Sequence, residues 1–215
     1  MRKLGLFGSG VHALAVLVLL AASAGLGCQC TQRANPAIDK TLETLIGGPV
    51  NYIANAPRVP PLNPEVGNLV AAGRQDIPYM LEKVHSPDLR VRMYCAYALG
   101  EIGDERAAEP LIDLVEDMRT SWRGSKEWRQ AARSESLTAL SKIKSPLISA
   151  YALRTILSMS NYDLCIEGDS YTSILTAQGV EADIRRAVDA LRERRQKNGP
   201  NANIDAALEV LSEER

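Results

Sequence analysis

A chain of 215 residues, 46% hydrophobic and 24% charged, is long enough for one domain with a sizeable core, or for one domain plus a small appendage. Such a composition excludes the collagen-like and disordered classes. Lys and Arg number 25 against 26 Asp and Glu, so a general coat for polyanions is excluded too, and nucleic acid is not an expected partner.

The chain opens on Met1-Arg2-Lys3, carries no charge from Leu4 to Gln32, and is most densely apolar from Val11 to Ala22. A short basic start before an apolar run is signal-peptide anatomy. The run ends in Ala21-Ala22-Ser23-Ala24-Gly25-Leu26-Gly27 and then Cys28. This approach resembles a bacterial lipoprotein signal, in which a thiol directly after a small residue is acylated, palmitate being one such chain, and becomes the mature N-terminus. Gly27 and Cys28 fit that pattern, while Leu26 stands one place later than the family's usual Leu, with Gly25 in its slot. Three outcomes stay open: lipidation of Cys28, which the motif favours; ordinary cleavage after Ala24; and an uncleaved anchor, because the uncharged stretch approaches spanning length. Each exports the body of the protein. The expected location is the bacterial cell envelope, as a membrane-anchored lipoprotein, and Gln29 in place of Asp favours the outer membrane by the same resemblance. The expected organisation is a signal peptide over 1–27, a short tether over 28–34, N-terminal helices and a Pro-rich strap over 35–74, and a repeat domain over 75–213.

Four dipeptides, Asn35-Pro36, Asn63-Pro64, Ser86-Pro87 and Ser145-Pro146, predict helix starts. Asn and Ser cap free backbone amides, and Pro at the first helical position lacks an amide that would go unbonded anyway. After Pro36, Ile38, Leu42, Leu45 and Ile46 form one stripe that Gly47-Gly48 ends. Pro57, Pro60 and Pro61 make Val50 to Asn63 an extended linker or strap. Ile77, Met80, Leu81 and Val84 mark a short helix, and Val91, Cys95, Ala98, Leu99 and Ile102 mark the next, at i, i+4, i+7, i+8 and i+11. Gly103 closes that helix, and Asp104 is expected to cap another bearing Leu111, Leu114, Val115 and Met118.

The unit recurs. Ala139-Leu140-Ser141-Lys142-Ile143 repeats Ala98-Leu99-Gly100-Glu101-Ile102 about 40 residues on, a spacing typical of two-helix repeats. Val180, Ile184, Ala187, Val188 and Leu191 reproduce the five-position stripe a third time, and Asp163 to Gln178 is an insertion with no place in the repeat. Ile204, Ala207, Leu208 and Leu211 mark a last short helix after the Asn198-Gly199-Pro200 stop. Over Leu89 to Leu111 the chain resembles a HEAT repeat of the variety also found in bilin lyases. The resemblance implies an all-α fold, an α-solenoid of three to four antiparallel helix pairs, with the helices over 35–48 and 63–72 as an N-terminal cap.

No catalytic constellation survives inspection. Gly168-Asp169-Ser170 resembles the nucleophile block of one serine-hydrolase class, but that chemistry needs a His as base, and cleavage before Cys28 leaves only His85, placed at a helix end. Asp169 or Ser170 as a helix cap is the expected role. Of Cys28, Cys30, Cys95 and Cys165, no pair outside the first two is close, so neither a zinc site nor any other cofactor is expected. Cys95 falls on an apolar helix face and is expected in the core, a Cys95 to Cys165 bridge being the alternative. Arg90, Arg92 and Arg106 are expected to pair with Asp88, Asp104 or Glu105, and the charges over 181–197 to form a solvated face with local ion pairs.

The segment from Arg119 to Arg133 holds five basic residues against Glu127 alone, with Trp122 and Trp128 among them. Trp128 lies four residues before Ala132 and is able to lengthen the core stripe, whereas Trp122 has no stripe to join. Trp beside Arg suits a binding surface, and Arg119, Trp122, Arg123 and Trp128 are the candidate partner-binding residues. The expected function is a non-catalytic scaffold or adaptor for another protein. Binding of an anionic glycan or lipid, or service as an accessory enzyme subunit, is the alternative, and no small-molecule substrate is expected.

Overall fold

Side-chain caps set the helix starts. The computed structural model describes residues 34–49, 51–53, 56–60, 63–120 and 124–212. The leader and Cys28, like Trp122 and Arg123, lie outside the described residues. Asn35 Oδ1 accepts from the Ile38 amide, Asn63 from Glu65 and Ser145 Oγ from Leu147, opening helices α1 (Pro36–Gly47), α2 (Pro64–Gln75) and α7 (Pro146–Ser158). Ser86-Pro87 behaves differently from expectation. Helix α4 (Leu89–Ile102) starts two residues later, where Asp88 Oδ1 accepts from the Arg90 amide, and Ser86 Oγ only supports the turn by accepting from the Asp88 amide. Asp104 likewise caps a single 3₁₀ turn, Glu105–Ala107, that leads into α5 (Ala108–Thr120). The remaining helices are α3 (Ile77–Lys83), α6 (Lys126–Lys142), α8 (Asn161–Gln178), α9 (Glu181–Asn198) and α10 (Ala202–Ser212).

These helices build an all-α solenoid. One row stacks α2, α4, α6, α8 and α10 side by side, and the other helices pack against it: α1 and α3 on α2 and α4, α5 on α6, α7 on α8, and α9 on α8 and α10. The pairs α2/α3, α4/α5, α6/α7 and α8/α9 are thus flanked by single helices, α1 on α2 and α10 on α8 and α9. The stripes supply the core: Cys95, Leu99, Leu140, Ile143 and Leu175 are fully buried. Cys95 carries a free thiol that burial pushes up to about 12, and Cys165 is free and exposed, so the core reading holds and the bridge does not.

The tightest seam is α4 on α6. A Cβ added at Gly100 would stand 2.7 Å from Ala139 Cα and 2.8 Å from its Cβ, so the backbones touch where any larger residue would part them. Ala98 and Ala139 are both buried.

Two expectations are corrected. The Asp163 to Gln178 segment is not an insertion: α8 occupies the main row between α6 and α10, and Leu164, Gly168, Tyr171, Thr172 and Leu175 bury the same i, i+4, i+7, i+8, i+11 stripe. The stripe over Val180 to Leu191 belongs instead to α9 in the second row, with Ala187, Val188 and Leu191 buried and Val180 exposed. The strap also has regular structure. Strands β1 (Asn51–Ile53) and β2 (Ala56–Arg58) form an antiparallel hairpin in which Asn51 faces Arg58 and Ile53 faces Ala56.

The two helical glycines Gly100 and Gly67 should respond oppositely to alanine. At Gly100 overpacking of about 1–3 kcal/mol exceeds the gain of up to about 1 kcal/mol in helix propensity. At Gly67, exposed on α2 with nothing within 4 Å of an added Cβ, only the gain remains. Urea denaturation should therefore show a lowered midpoint for Gly100→Ala and a raised one for Gly67→Ala; an unchanged or raised midpoint for the former contradicts the close seam.

Candidate functional site

An open cleft of about 600 Å³ lies where α5 ends and α6 faces α8. Its cations come from two elements: Arg119 from the last turn of α5, and Lys126, Arg129 and Arg133 from α6, where spacings of three and four residues keep them on one face. Helix α8 supplies Ile166, Glu167 and Ser170 on the other side. Beneath the cleft runs a chain of polar contacts, part-buried for the most part. Arg133 donates from both terminal nitrogens to Glu167, at 2.8 and 2.6 Å, and from one of them to Tyr171 OH at 3.3 Å. The Tyr171 and Tyr151 hydroxyls stand 3.3 Å apart with their rings edge to face, Tyr151 OH donates to Glu116 at 2.7 Å, and Arg119 donates to the other Glu116 oxygen. Burial works against the Arg133 charge, but the Glu167 pair and the Tyr171 hydroxyl outweigh it and hold the guanidinium above its ordinary value. Burial, reinforced by Glu116, pushes the Tyr151 phenol well above its ordinary value, so Tyr151 stays a neutral donor. Arg133 Nε is buried there without a partner.

The sequence-predicted residues divide around this cleft. Arg119 lines it, and Trp128, in the first turn of α6, is half-buried and packs against the core. The cleft's strongest contributors, Arg129, Arg133 and Glu167, were not singled out; the signal was the basic excess from Arg119 to Arg133, three of whose members prove to sit on a helix. Ser170 lies in the middle of α8 rather than at a cap, and His85 is exposed just beyond α3. Among the described residues no cluster of three His, Cys, Asp or Glu side chains is arranged to hold a metal. Arg90 and Arg106 pair with Asp88 and Asp104 as expected, while Arg92 bonds Asp117 and the Ser86 carbonyl instead. Over 181–197, Arg185 and Arg186 pair locally with Glu181 and Asp183, but Arg194 reaches back to the Met159 and Leu157 carbonyls and caps α7.

Residues 91–117, spanning most of α4 and α5, match the family model of the PBS lyase HEAT-like repeat. The chain carries a HEAT-like repeat. No curated protein and no solved structure matches it significantly. The cleft begins just beyond the matched residues, at the junction between this HEAT-like repeat and the two pairs that follow.

A second polar feature ties the strap to the stack. Arg58 bonds Ser134 Oγ and lies 3.9 Å from Glu135, whose Oε1 accepts from the Val59 amide at 3.4 Å. Glu135 is only 7% exposed, and burial raises its pKa against the opposing pull of the Val59 amide and Arg58. A carboxyl raised on folding favours the folded state below its unfolded pKa, and that contribution is lost as pH rises through the folded value. At neutral pH that contribution is therefore reduced. Glu135→Gln keeps an acceptor for Val59 and removes the charge, so its melting temperature should equal or exceed wild type at pH 7. Below about pH 4.5, where the parent carboxyl is protonated, the difference should vanish. A variant markedly less stable at pH 7 would show that Glu135 serves as a needed anion.

Proposed function

We propose that the protein is a non-catalytic interaction scaffold of the bacterial cell envelope, exported by its leader and held at a membrane by lipid on Cys28. The observation that carries the scaffold reading is the HEAT-like stack itself: neighbouring pairs bury one another's apolar stripes and leave an extended rim of exposed side chains, and repeats of this kind commonly serve as protein-interaction platforms. The partner-facing surface includes Arg119 at the end of α5 and the adjacent Trp122 and Arg123. Trp128, in the first turn of α6, packs against the core. The envelope reading rests on the leader and on the small-residue approach to Cys28. Among the described residues no helix is long and apolar enough to cross a membrane, so within them nothing competes with the N-terminus as the anchor. A second reading, direct binding of an anionic glycan or lipid, has the cationic cleft in its favour.

Crosslinking in native envelopes, followed by mass spectrometry, should yield protein adducts. Trp122→Ala should reduce them while changing stability by less than about 0.5 kcal/mol, the range of a surface site; unfolding would make Trp122 a core residue, and intact capture would move the surface elsewhere. Cys28→Ala should abolish incorporation of labelled palmitate and release the protein from membranes. Unchanged retention together with an unchanged N-terminal peptide mass would remove the lipoprotein reading.

A further inference from the structure

We propose that the cleft between α6 and α8 docks an acidic peptide segment of a partner protein, its carboxylates held by Lys126, Arg129 and Arg119 and an apolar side chain set against Ile166. The proposal rests on the interaction-scaffold reading and gives it a chemistry.

Charge is the first argument. The residues lining the cleft include four cations, Arg119, Lys126, Arg129 and Arg133, against Glu167 alone. Nearby acids are engaged by their own neighbours: Glu167 by Arg133, Glu116 by Tyr151 and Arg119, and Asp163 by Ser160 in a capping box. Glu127 is exposed in the first turn of α6, where its own backbone and the Ser125 hydroxyl do most to stabilise its charge and the nearby Lys126 and Arg129 add to them. The cations are also placed in advance of any ligand. Arg129 Nη1 donates to the Gly124 carbonyl at 2.6 Å, and Arg133 is fixed from below by Glu167 and Tyr171. Guanidinium groups held this way accept carboxylates with little loss of side-chain freedom.

The second argument chooses the class of ligand. Beside the cations the cleft presents Met118 and Leu137 at its base and Ile166 on its α8 wall. Ile166 is 61% exposed and Tyr162, one turn earlier on α8, is 73% exposed, which makes a paired apolar surface with no covering element among the described residues. A glycan or other uniform polyanion would use the cations and leave that surface idle. A peptide alternating acidic and apolar side chains uses both, and an open cleft of about 600 Å³ suits a short stretch of chain.

The test uses the full chain in detergent and a fluorescein-labelled peptide of sequence Glu-Leu-Asp-Glu-Leu-Asp, followed by anisotropy. The peptide should bind, its Gln/Asn counterpart should not, and affinity should fall at least about tenfold in Lys126→Glu/Arg129→Glu and about threefold in Ile166→Ser. Arg185→Glu, an equal charge change on exposed α9, should leave binding intact, and the single exposed substitution Lys126→Gln should still weaken it if the double variant fails to fold. Equal affinity in the folded charge variants overturns the proposal. So does displacement of the peptide by heparin or phosphatidylglycerol vesicles whose own binding is indifferent to Ile166→Ser, since that assigns the cleft to a polyanion. Envelope crosslinking on the same variants separates the two levels: protein adducts that persist when the peptide does not bind leave the scaffold and remove the cleft, whereas a wild-type chain without protein adducts removes the scaffold as well.

Discussion

Helices α4 and α6 meet at Gly100 and Ala139 with their backbones in contact, and the rest of the stack is arranged around that approach. With no side chain at Gly100, Leu99 and Leu140 beside it bury completely. Where the row continues toward the N-terminus the same device recurs in softer form. A Cβ at Gly73 of α2 would meet Ile102 Cδ1 at 3.0 Å and Met80 Cγ at 3.1 Å, contacts with side-chain atoms that are able to give. The seam between α4 and α6 is therefore the rigid one.

On the other side of α6 the packing rule changes. Helix α8 buries Gly168, Tyr171 and Thr172 where α4 buries Cys95, Ala98 and Leu99, and hydroxyls enter the core. They are satisfied locally or in chains: Thr172 donates to the Gly168 carbonyl at 3.0 Å, Thr176 to Thr172 at 2.6 Å, and the two tyrosines join Arg133 to Glu116. A buried polar network of this kind is costly when broken and specific when complete. Here it holds the floor of the cleft and aims its basic wall, so the departure from a purely apolar repeat coincides with the surface assigned to binding.

The sequence made the helices, their stripes and the repeat over α4 to α7 legible, because apolar spacing and Asn-Pro or Ser-Pro starts are local signals. It concealed α8 for a physical reason: Gly168, Tyr171 and Thr172 do not score as apolar, yet Thr172 is buried with its hydroxyl bonded one turn back and Tyr171 with its hydroxyl bonded to Arg133. The outer-row helix α9, being more regularly apolar, was read in its place. At the cleft the basic excess is visible, but Lys126, Arg129 and Arg133 gain their common orientation only because α6 begins at Lys126, capped by Ser125. The partnership of Glu135 with Val59, 76 residues away, leaves no local trace at all.

That last contact has a consequence for how the molecule comes apart. In a stack where each pair touches only its neighbours, the ends fray independently and stability is a sum of adjacent terms. The hairpin breaks this rule, since β2, placed in the chain between α1 and α2, packs on α6. Opening the N-terminal end by peeling α1 and the hairpin away together must break the Arg58 to Ser134 and Val59 to Glu135 contacts, so these first elements are fastened to the middle of the solenoid as well as to its edge. A pull applied through the N-terminus would thus be resisted at α6, the helix that carries the basic wall of the cleft, as well as at the edge of the stack.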